Sequence, residues 1–512
     1  FVHIINTINT QKDPLPDTTG LFDLTTNNEY LRSIEKMNLS LARVFLCVLW
    51  IGCRPVLGRS ANAFQKDVQI INNNDKDYKK IVVIAGAGPA GLLLAHYLLG
   101  RHANYELHIF EKRPDPRNAP PSEQRTYPIS LQQKRGVVAI REISPSLFEA
   151  VEAAGAWLKR AHFRQGDETS SKKRFRSPML SLDRNGLALV LLQHLVQHVI
   201  PTNTQQGNSC YLHFGTSVED LNLVTNTVTL SNGKLMKFDH LVAADGSRSM
   251  VRQRLTEQGR LSSTIEVISV ENKSFNVPRK SQDRSFQVDD ASFNGWALKN
   301  GAQALALPLG KDACSGAMSF PQNCDPFQNM KTPEQVLEFF QQSAPHTLAK
   351  LVTMEEAKSL LKRPITRLYT VKCKQLHVDE KVLLLGDAAH ATSNVLGQGA
   401  NAALQDVQVF CGILRDYKDD WRQALYAYTT KRLPCIQAVQ EMSEYTVPPN
   451  PQMRKEFRQR QKVRQFFGPW FGSTIVGHDA MQLLADTSLS YSQVYRKTRW
   501  WSDRVKNAWD TM

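Results

Sequence analysis

A group of closely spaced glycines near residue 90 has the residue types and spacing of a dinucleotide-binding turn. The segment Gly86-Ala87-Gly88-Pro89-Ala90-Gly91 follows the pattern Gly-x-Gly-x-x-Gly. Glu111 lies about 20 residues further on, where such sites carry an acid that bonds a ribose hydroxyl. The first glycine permits a tight turn, the second lets the backbone approach a pyrophosphate, and the third lets a helix pack on a strand. The spacing therefore predicts a dinucleotide site at this turn.

The residues around the turn predict the strands and the helix that such a site requires. Residues 81–85 form a short apolar, β-branched run, which is typical of a buried parallel strand. Residues 92–99 predict a helix that closes at Gly100, and residues 106–110 predict a second strand. A helix that begins directly after the glycines offers free N–H groups and the positive end of its dipole to the phosphates.

Two later segments repeat the pattern of an apolar strand that runs into a turn containing aspartate and glycine. Residues 240–244 lead into Asp245-Gly246, and residues 382–385 lead into Gly386-Asp387. The second segment continues through the loop 397–401 (Gly-Gln-Gly-Ala-Asn) to an amphipathic stretch that predicts a helix. The fold alone does not choose between NAD and FAD, and these two segments favour FAD.

In this order the three segments resemble the flavoprotein aromatic hydroxylases, also called group A flavin monooxygenases. The resemblance covers roughly residues 79–500 and is strongest at the flavin motifs. It implies an α/β protein with a Rossmann-like FAD-binding domain, a mixed antiparallel β-sheet substrate domain and a helical C-terminal extension. It also implies that FAD is bound, that NAD(P)H is the co-substrate, and that O2 is used to hydroxylate a small, aromatic substrate.

The resemblance also assigns roles to individual residues. Asp387 would contact the flavin ribityl chain, and the loop 397–401 with its helix would bring N–H groups to the isoalloxazine ring. Arg184, in Leu182-Asp183-Arg184-Asn185, matches an arginine that contacts FAD in the family. Together with the glycine turn, the expected cofactor-binding residues are Gly86, Gly88, Ala90, Gly91, Glu111, Lys112, Arg113, Arg184, Asp245, Gly246, Asp387, Gly397, Gly399, Ala400 and Asn401.

The substrate side of the resemblance is weaker. The chain most resembles the kynurenine hydroxylases of the family, which hold the substrate carboxylate with an Arg and a Tyr just ahead of the position of Arg184. Residues 159–178 contain no Tyr, so Arg160 is the substrate-binding candidate, with Arg164 or an ordinary surface role for Arg160 as alternatives. Tyr491 matches a tyrosine of the family's C-terminal helix that reaches the substrate.

No catalytic acid–base pair is predicted, because the flavin carries the chemistry of this reaction class. His390 follows Asp387 closely, but similar segments of the family indicate a structural residue of the flavin loop.

Residues 392–396 replace a more apolar run of the family, which puts kynurenine itself in doubt as the substrate. Two alternatives stay open: an epoxidase or hydroxylase of an isoprenoid such as a carotenoid or quinone, and a flavin-bound interaction protein without turnover.

Residues 256–380 alternate apolar and polar positions, which predicts an antiparallel sheet over a substrate pocket. The alternation predicts strands at residues 285–288 and 302–308, and the pattern of residues 332–343 predicts a helix. The expected domains follow from these patterns. They are a leader and linker (1–78), a first FAD-binding part (79–255), the substrate sheet (256–379), a second FAD-binding part (380–445) and a helical, basic C-terminal region (446–512).

The net charge of +15 is concentrated in two basic runs, residues 454–464 and 172–176. No nucleic-acid-binding motif accompanies them, so they are interpreted as a solvated helix face and a surface loop. The C-terminal region combines basic residues with tryptophans, which is typical of a membrane-surface helix; a cap on the substrate site is the alternative. The eight cysteines include no Cys-x-x-Cys pair, so neither a disulfide framework nor a metal site is predicted.

The first 78 residues have the pattern of a targeting leader. Met37 is a plausible start, residues 44–51 suit the apolar core of a signal peptide, and residues 60–63 are small enough for signal peptidase. Phe64 follows at once, which resembles the bipartite plastid leaders of algae with secondary plastids. The expectation is therefore a plastid, with the secretory system, an uncleaved anchor or a mitochondrial membrane surface as alternatives.

Overall fold

The computed structural model describes residues 79–101, 103–118, 127–166, 168–204, 207–309, 312–446, 448, 452–453, 455–457, 459–460 and 479–511. All of them belong to one compact unit, Lys76–Met512. The leader expected at residues 1–78 lies outside the described residues, as does much of the basic run 454–464.

The described strands are β1 (Lys80–Ala85), β2 (Tyr105–Glu111), β3 (Pro128–Gln132), β4 (Ala156–Gln165), β5 (Glu168–Asp183), β6 (Ser209–Phe214), β7 (Val218–Asn222), β8 (Thr227–Leu230), β9 (Leu235–Lys237), β10 (His240–Ala243), β11 (Ser263–Pro278), β12 (Ser292–Ala297), β13 (Gln303–Leu309), β14 (Ala313–Pro321), β15 (Thr366–Cys373), β16 (His377–Val378) and β17 (Val382–Leu384). The described α-helices are α1 (Pro89–Leu99), α2 (Gly136–Arg141), α3 (Pro145–Ala153), α4 (Arg184–His194), α5 (Ile200–Thr204), α6 (Met250–Glu257), α7 (Pro333–Ser343), α8 (His346–Ala349), α9 (Met354–Lys362), α10 (Asp387–His390), α11 (Gly399–Asp416), α12 (Trp421–Glu444), α13 (Ala480–Asp486) and α14 (Tyr491–Asp510).

The first sheet is the Rossmann-like sheet that the sequence predicts. Its six strands follow the order β16-β17-β10-β1-β2-β6, and all neighbours are parallel except β16 and β17. Ile84 pairs with Val242 and Ala243 pairs with Leu384, so β1, β10 and β17 end at the same edge. Because the carboxyl ends of parallel strands meet there, the three glycine-containing turns lie together.

The second sheet is mixed and has eight strands in the order β15-β11-β14-β13-β12-β4-β5-β3. All its neighbours are antiparallel except β12 and β4. Strands β3, β4 and β5 precede residue 256, so this sheet takes strands from both sides of the expected domain boundary. One face packs against α7, α8 and α9 in a core that contains Trp296 and Phe340. The predicted α/β fold with a second, mixed sheet is confirmed.

The predictions within the second sheet had two outcomes. The strand expected at 302–308 and the helix expected at 332–343 are confirmed as β13 and α7, and α7 begins with a capping box at Thr332. The strand expected at 285–288 is wrong, because Gln287 makes only an isolated bridge to Lys280. Asp283 instead accepts hydrogen bonds from the backbone and the hydroxyl of Ser285 and holds this segment as a turn.

Two further segments bear on the charge pattern. The basic run 172–176 was expected to be a surface loop, and that is wrong: it lies in β5. Along this stretch β5 pairs with β4 on one side, while β3 pairs only with residues 179–183, so residues 172–176 lie at an edge of the sheet. Charged residues at a sheet edge discourage pairing with other chains.

The described C-terminal residues form helices α13 and α14, as predicted. Within the described ranges, no helix has the length and apolarity needed to cross a membrane.

Candidate functional site

The glycine turn lies between β1 and α1 and has little free space at two of its three glycines. A Cβ on Gly86 would lie 2.4 Å from the carbonyl oxygen of Ala244, and one on Gly91 would lie 2.2 Å from the carbonyl oxygen of Gly86. A Cβ on Gly88 would meet only the guanidinium of Arg184, at 3.9 Å. The turn is therefore closed at Gly86 by the second segment and at Gly91 by its own backbone, and it stays open at Gly88, next to a cation.

The start of α1 has the properties of a phosphate site. Gly88 is the N-cap residue, and no side chain caps the helix, so its first N–H groups are available to an anion. Arg184 begins α4 and is half-buried, and its guanidinium also lies 5.7 Å from the ring centre of Tyr127. Tyr127 was not among the predicted residues, since it lies outside the motifs.

Glu111 ends β2 beside the glycine turn. Its carboxylate accepts hydrogen bonds from the backbone N–H of Ala87 (3.1 Å) and from the guanidinium of Arg113 (2.9 Å). Burial opposes the charge of Glu111, but the bonds from Arg113 and Ala87 outweigh it and lower the pKa of the carboxyl. A ribose that bonds Glu111 must share it with, or displace, Arg113. Lys112 is exposed at the surface.

The Asp245-Gly246 turn packs against the first turn. A Cβ on Gly86 would lie 2.9 Å from the Cα of Asp245, and Gly246 has a left-handed φ of 85°. One oxygen of Asp245 accepts from the N–H of Met250 at 2.8 Å, while the other is buried without a hydrogen-bond partner among the described residues. Burial raises the pKa of Asp245. The second turn thus holds an acceptor that no described protein group satisfies.

Arg252, which was not predicted from the sequence, joins the second segment to the third. Its guanidinium donates to the carbonyl oxygens of Ser247 (2.7 Å) and Ala388 (2.9 Å). Nothing in the sequence around Arg252 indicates that one of its partners, Ala388, lies 136 residues away.

Gly386 and Asp387 lie directly opposite the glycine turn. Gly386 has a φ of 56°, and a Cβ on it would lie 3.0 Å from the Cβ of Ala403 and 3.7 Å from the Cβ of Ala90. Asp387 is the first residue of α10 and is half-buried. The first and third segments are therefore neighbours, as the order of motifs predicts.

The loop 397–401 is held by the side chain of Asn401. Its Oδ1 accepts from the N–H groups of Gln132 (2.8 Å) and Gly136 (3.2 Å), and its Nδ2 donates to the carbonyl oxygen of Ser130 at 2.9 Å. Asn401 thus joins the loop to β3 and α2 instead of presenting free polar atoms. Gly399 and Ala400 begin α11, whose N-cap residue provides no side-chain hydrogen bond.

A buried charge network lies under this loop. Asp406, on α11, is fully buried and accepts from Arg432 Nε at 2.7 Å, from the N–H of Gly386 at 2.9 Å and from His390 Nε2. Burial opposes the charge of Asp406, but His390 and Arg432 outweigh it and keep the pKa of the carboxyl low. Asp406 and Arg432 were not predicted from the sequence, since neither belongs to a glycine motif.

Arg160 is not brought to these residues. Its guanidinium pairs with Asp289 at 2.8 Å and is about half exposed. The register pairs Arg160 with Ser292 and Arg164 with Trp296, so both arginines share the sheet face that packs on α7, α8 and α9. The expectation that Arg160 holds a substrate carboxylate is corrected on these grounds.

Arg164, the alternative candidate, is not placed to hold a substrate carboxylate either. This arginine is buried, donates to Asn294 Oδ1 at 3.0 Å and lies over the rings of Phe286 and Trp296. Burial lowers the pKa of its guanidinium. Arg164 therefore belongs to the second core.

Tyr491 lies beside the flavin loop, and its expected contact with the substrate stays a prediction. Its side chain is 1% exposed, and its hydroxyl donates to Gln398 Oε1 at 3.1 Å, one residue before α11. The centre of its ring lies 4.4 Å from the guanidinium carbon of Arg135 and 5.6 Å from that of Arg432. Arg135 also donates to the carbonyl oxygen of Leu489 at 3.0 Å, so the C-terminal helix is attached to the loop region.

The donor set fits FAD. An open turn beside Arg184 suits a pyrophosphate, Glu111 suits a ribose, and the uncapped start of α11 suits a flavin ring that becomes negative on reduction. Asp245 keeps a buried oxygen without a hydrogen-bond partner among the described residues, and this oxygen is available to a hydroxyl group of the cofactor. Fold and site together define a dinucleotide-binding flavoprotein.

The comparisons with known proteins agree with this class. The chain belongs to the FAD binding domain family, whose sequence model matches residues 79–443. It is similar to the kynurenine 3-monooxygenase of Christiangramia forsetii, with 28% identity over 75% of this chain and 85% of that protein. It is 26% identical to the Drosophila willistoni kynurenine 3-monooxygenase over 85% of this chain and 93% of that one.

Solved structures share the fold. A tetrameric form of 2-methyl-3-hydroxypyridine-5-carboxylic acid oxygenase has a TM-score of 0.58 at 19% identity, over 80% of this chain and 96% of that one. PqsL of Pseudomonas aeruginosa in complex with 2-aminobenzoylacetate has a TM-score of 0.58 at 18% identity, over 74% and 99%. The chain is therefore an FAD-dependent monooxygenase that takes its electrons from NAD(P)H and acts as an aromatic hydroxylase.

Proposed function

We propose that this chain hydroxylates a small aromatic substrate of the kynurenine class at a site built from the glycine turn, Arg184 and the segment Gly386-Asp387. The observation that carries the proposal is the convergence of these parts. Gly88 is open toward Arg184, and Ala90 lies against Gly386. The names of the curated relatives support kynurenine as the first substrate to test.

Each residue has a task that its surroundings support. Arg184 and the N–H groups at the start of α1 bind the pyrophosphate, and Glu111 binds a ribose hydroxyl. Asp387 bonds the ribityl chain, and the start of α11 stabilises negative charge on the flavin ring. Bound FAD supplies the transfer of electrons from NAD(P)H to O2 and of one oxygen atom to the substrate. The second sheet shields that chemistry from water.

The sheet face opposite Arg160 supports an aromatic substrate. Phe163 is 40% exposed, its ring centre lies 5.6 Å from that of Phe293, and a Cβ on Gly295 would lie 2.6 Å from the Phe163 ring. Exposed aromatic rings of this kind can stack against an aromatic ligand. We propose that these two rings form one wall of the substrate pocket.

The test measures NAD(P)H oxidation by the purified FAD-loaded protein with kynurenine, anthranilate-like aromatics and quinones. Kynurenine or an anthranilate-like compound is expected to stimulate oxidation and to give a hydroxylated product. A Phe163→Ala variant should raise KM for that substrate about two- to tenfold, since the lost aromatic contact is worth about 0.5–1.5 kcal/mol. Stimulation and hydroxylation with quinones alone would move the function to isoprenoid substrates. No NAD(P)H oxidation with FAD bound would refute the proposal.

We further propose that α14 touches an anionic membrane surface. Trp500 is 42% exposed, and Arg496 and Lys497, four and three residues before it on the same helix, are also exposed. Amphipathic aromatic rings and cations are the residues that bind lipid headgroups at an interface. Co-sedimentation with vesicles that contain anionic lipid is expected, and equal binding by an Arg496→Glu/Lys497→Glu variant would refute this proposal.

The proposed cellular compartment rests on the leader pattern alone. We propose that residues 37–78 direct the chain to a plastid through a signal-peptide step. A fluorescent protein fused to residues 37–78 should accumulate in the plastid of a host with a secondary plastid. Retention in the secretory system or at the mitochondrion would refute it.

A further inference from the structure

Asp406 is a buried carboxylate that lies outside the residues assigned to FAD and to the substrate. It lies on α11, and its two oxygens take hydrogen bonds from three groups on different parts of the chain. Oδ1 accepts from Arg432 Nε, and Oδ2 accepts from the N–H of Gly386 and from His390 Nε2. A carboxylate in this position joins α11, α12 and the segment that carries Asp387.

The two contacts on Oδ2 hold both ends of α10. Gly386 immediately precedes this helix, and His390 is its last residue. A helix of four residues is too short to be stable by itself, since the cost of nucleation is not recovered in one turn. Gly386 also has a left-handed φ of 56°, so the direction in which Asp387 leaves the strand depends on contacts that fix this backbone. The Asp406 carboxylate supplies such contacts at both ends.

The contact on Oδ1 anchors the network in the rest of the protein. Arg432 lies on α12, is buried, and also donates to the carbonyl oxygen of Ala402 at 3.0 Å. A buried ion pair adds little net stability, because desolvation offsets the attraction, and its better-supported use is to select one conformation. Arg432 also lies 5.6 Å from the ring of Tyr491, next to the flavin loop.

We propose that Asp406 is a positioning residue for the flavin, which fixes the segment Gly386–His390, and with it Asp387, through its bonds to Gly386, His390 and Arg432. The inference rests on the proposed role of Asp387 at the ribityl chain. Asp406 touches neither cofactor nor substrate in this scheme and acts through the backbone that it holds.

The test compares two substitutions in the network with two matched controls. His390→Gln removes one arm and leaves the ion pair, and Asp406→Asn removes the charge. The controls are His377→Gln, a half-buried histidine bonded to Thr429 on α12, and Asp416→Asn, an exposed carboxylate at the end of α11. For each purified holoprotein the measurements are the dissociation constant of FAD, the visible flavin spectrum, the flavin reduction potential and the melting temperature.

His390→Gln is expected to raise the FAD dissociation constant at least fivefold and to shift the flavin potential and the visible spectrum, whereas His377→Gln leaves all three unchanged. Asp406→Asn should raise the constant more, at least twentyfold, against no change for Asp416→Asn. If Asp406→Asn does not fold, His390→Gln and the double variant Asp406→Asn/Arg432→Gln, which buries no unpaired charge, carry the test. The positioning role would be overturned if the FAD dissociation constants stayed within twofold of the parent value and the flavin spectra were unchanged, with only the melting temperature lowered. A parent that binds no FAD would instead refute the proposed function.

Discussion

Because Gly88 has free space around it and Gly91 has none, substitution by alanine is expected to have opposite effects at the two positions. Gly88 has φ −79° and ψ 177°, which alanine adopts freely, and its Cβ would meet only Arg184 at 3.9 Å. Gly88→Ala should therefore leave the free energy of unfolding unchanged or increase it by up to about 1 kcal/mol. The added methyl group does fill the path of the pyrophosphate to the backbone. The loss of one charge-assisted hydrogen bond costs about 1.5–3 kcal/mol, or about 10- to 100-fold in the FAD dissociation constant.

Gly91→Ala has the reverse profile. Its Cβ would lie 2.2 Å from the carbonyl oxygen of Gly86, a backbone atom that cannot move without opening the turn. Overpacking of this kind costs about 1–3 kcal/mol of folding free energy. Denaturant unfolding of the flavin-free variants and fluorescence titration with FAD measure the two quantities separately. A Gly88→Ala protein that binds FAD as tightly as the parent would refute the idea that the open turn receives the pyrophosphate.

Three other outcomes follow from the geometry. Arg184→Gln should weaken FAD binding at least tenfold, as expected for one lost charge-assisted contact, whereas Arg160→Gln should change neither FAD binding nor the substrate KM; a KM effect at Arg160 would contradict the strand register. Tyr491→Phe removes the bond to Gln398 and should lower the free energy of unfolding by about 0.5–1.5 kcal/mol, measured by denaturant titration, while an unchanged value would show that the bond contributes nothing. The folded-state pKa of Glu111 is lowered, so the stability that its charge contributes is present above the ordinary carboxyl pKa and is lost as the pH falls through the folded pKa. Glu111→Gln should therefore make the free energy of unfolding depend less on pH in the acid range. An unchanged pH dependence would contradict this.

The parts that local sequence predicts well are those whose physics is local. Residues 81–85 and 382–385 are apolar without interruption, as strands buried on both faces must be, and they form β1 and β17. The glycine turn is predictable in part for the same reason. The positive φ of Gly86 and the contact between Gly86 and Gly91 lie within six residues, whereas the contact of Gly86 with Ala244 does not. Asn401 is a partial case. Its place in the loop follows from the motif, but its bonds to Gln132 and Gly136 depend on chain segments 265 or more residues away.

Arg160 shows why the substrate side was harder to predict. Simple alternation from the buried Leu158 would give Arg160 the same face as Leu158. The N–H groups of Lys159 and Arg160 both bond the carbonyl oxygen of Ala291, at 2.7 and 3.0 Å, which is the pattern of a β-bulge. One extra residue reverses the faces of everything that follows in the strand. A bulge of this kind depends on the partner strand, which sequence spacing does not reveal.

Asp406 marks a second limit of the same kind. A lone aspartate in a predicted helix reads as a solvent-facing residue, because an unpaired charge is too costly to bury. Here the cost is offset by Arg432, which is 26 residues away on the next helix, and by Gly386 and His390 on the strand side. No spacing rule relates these positions, since the helices α11 and α12 and the strand β17 meet only in the folded chain. Local motifs indicate the residues that approach the cofactor, whereas the residues that hold those in place are determined by the packing of distant segments.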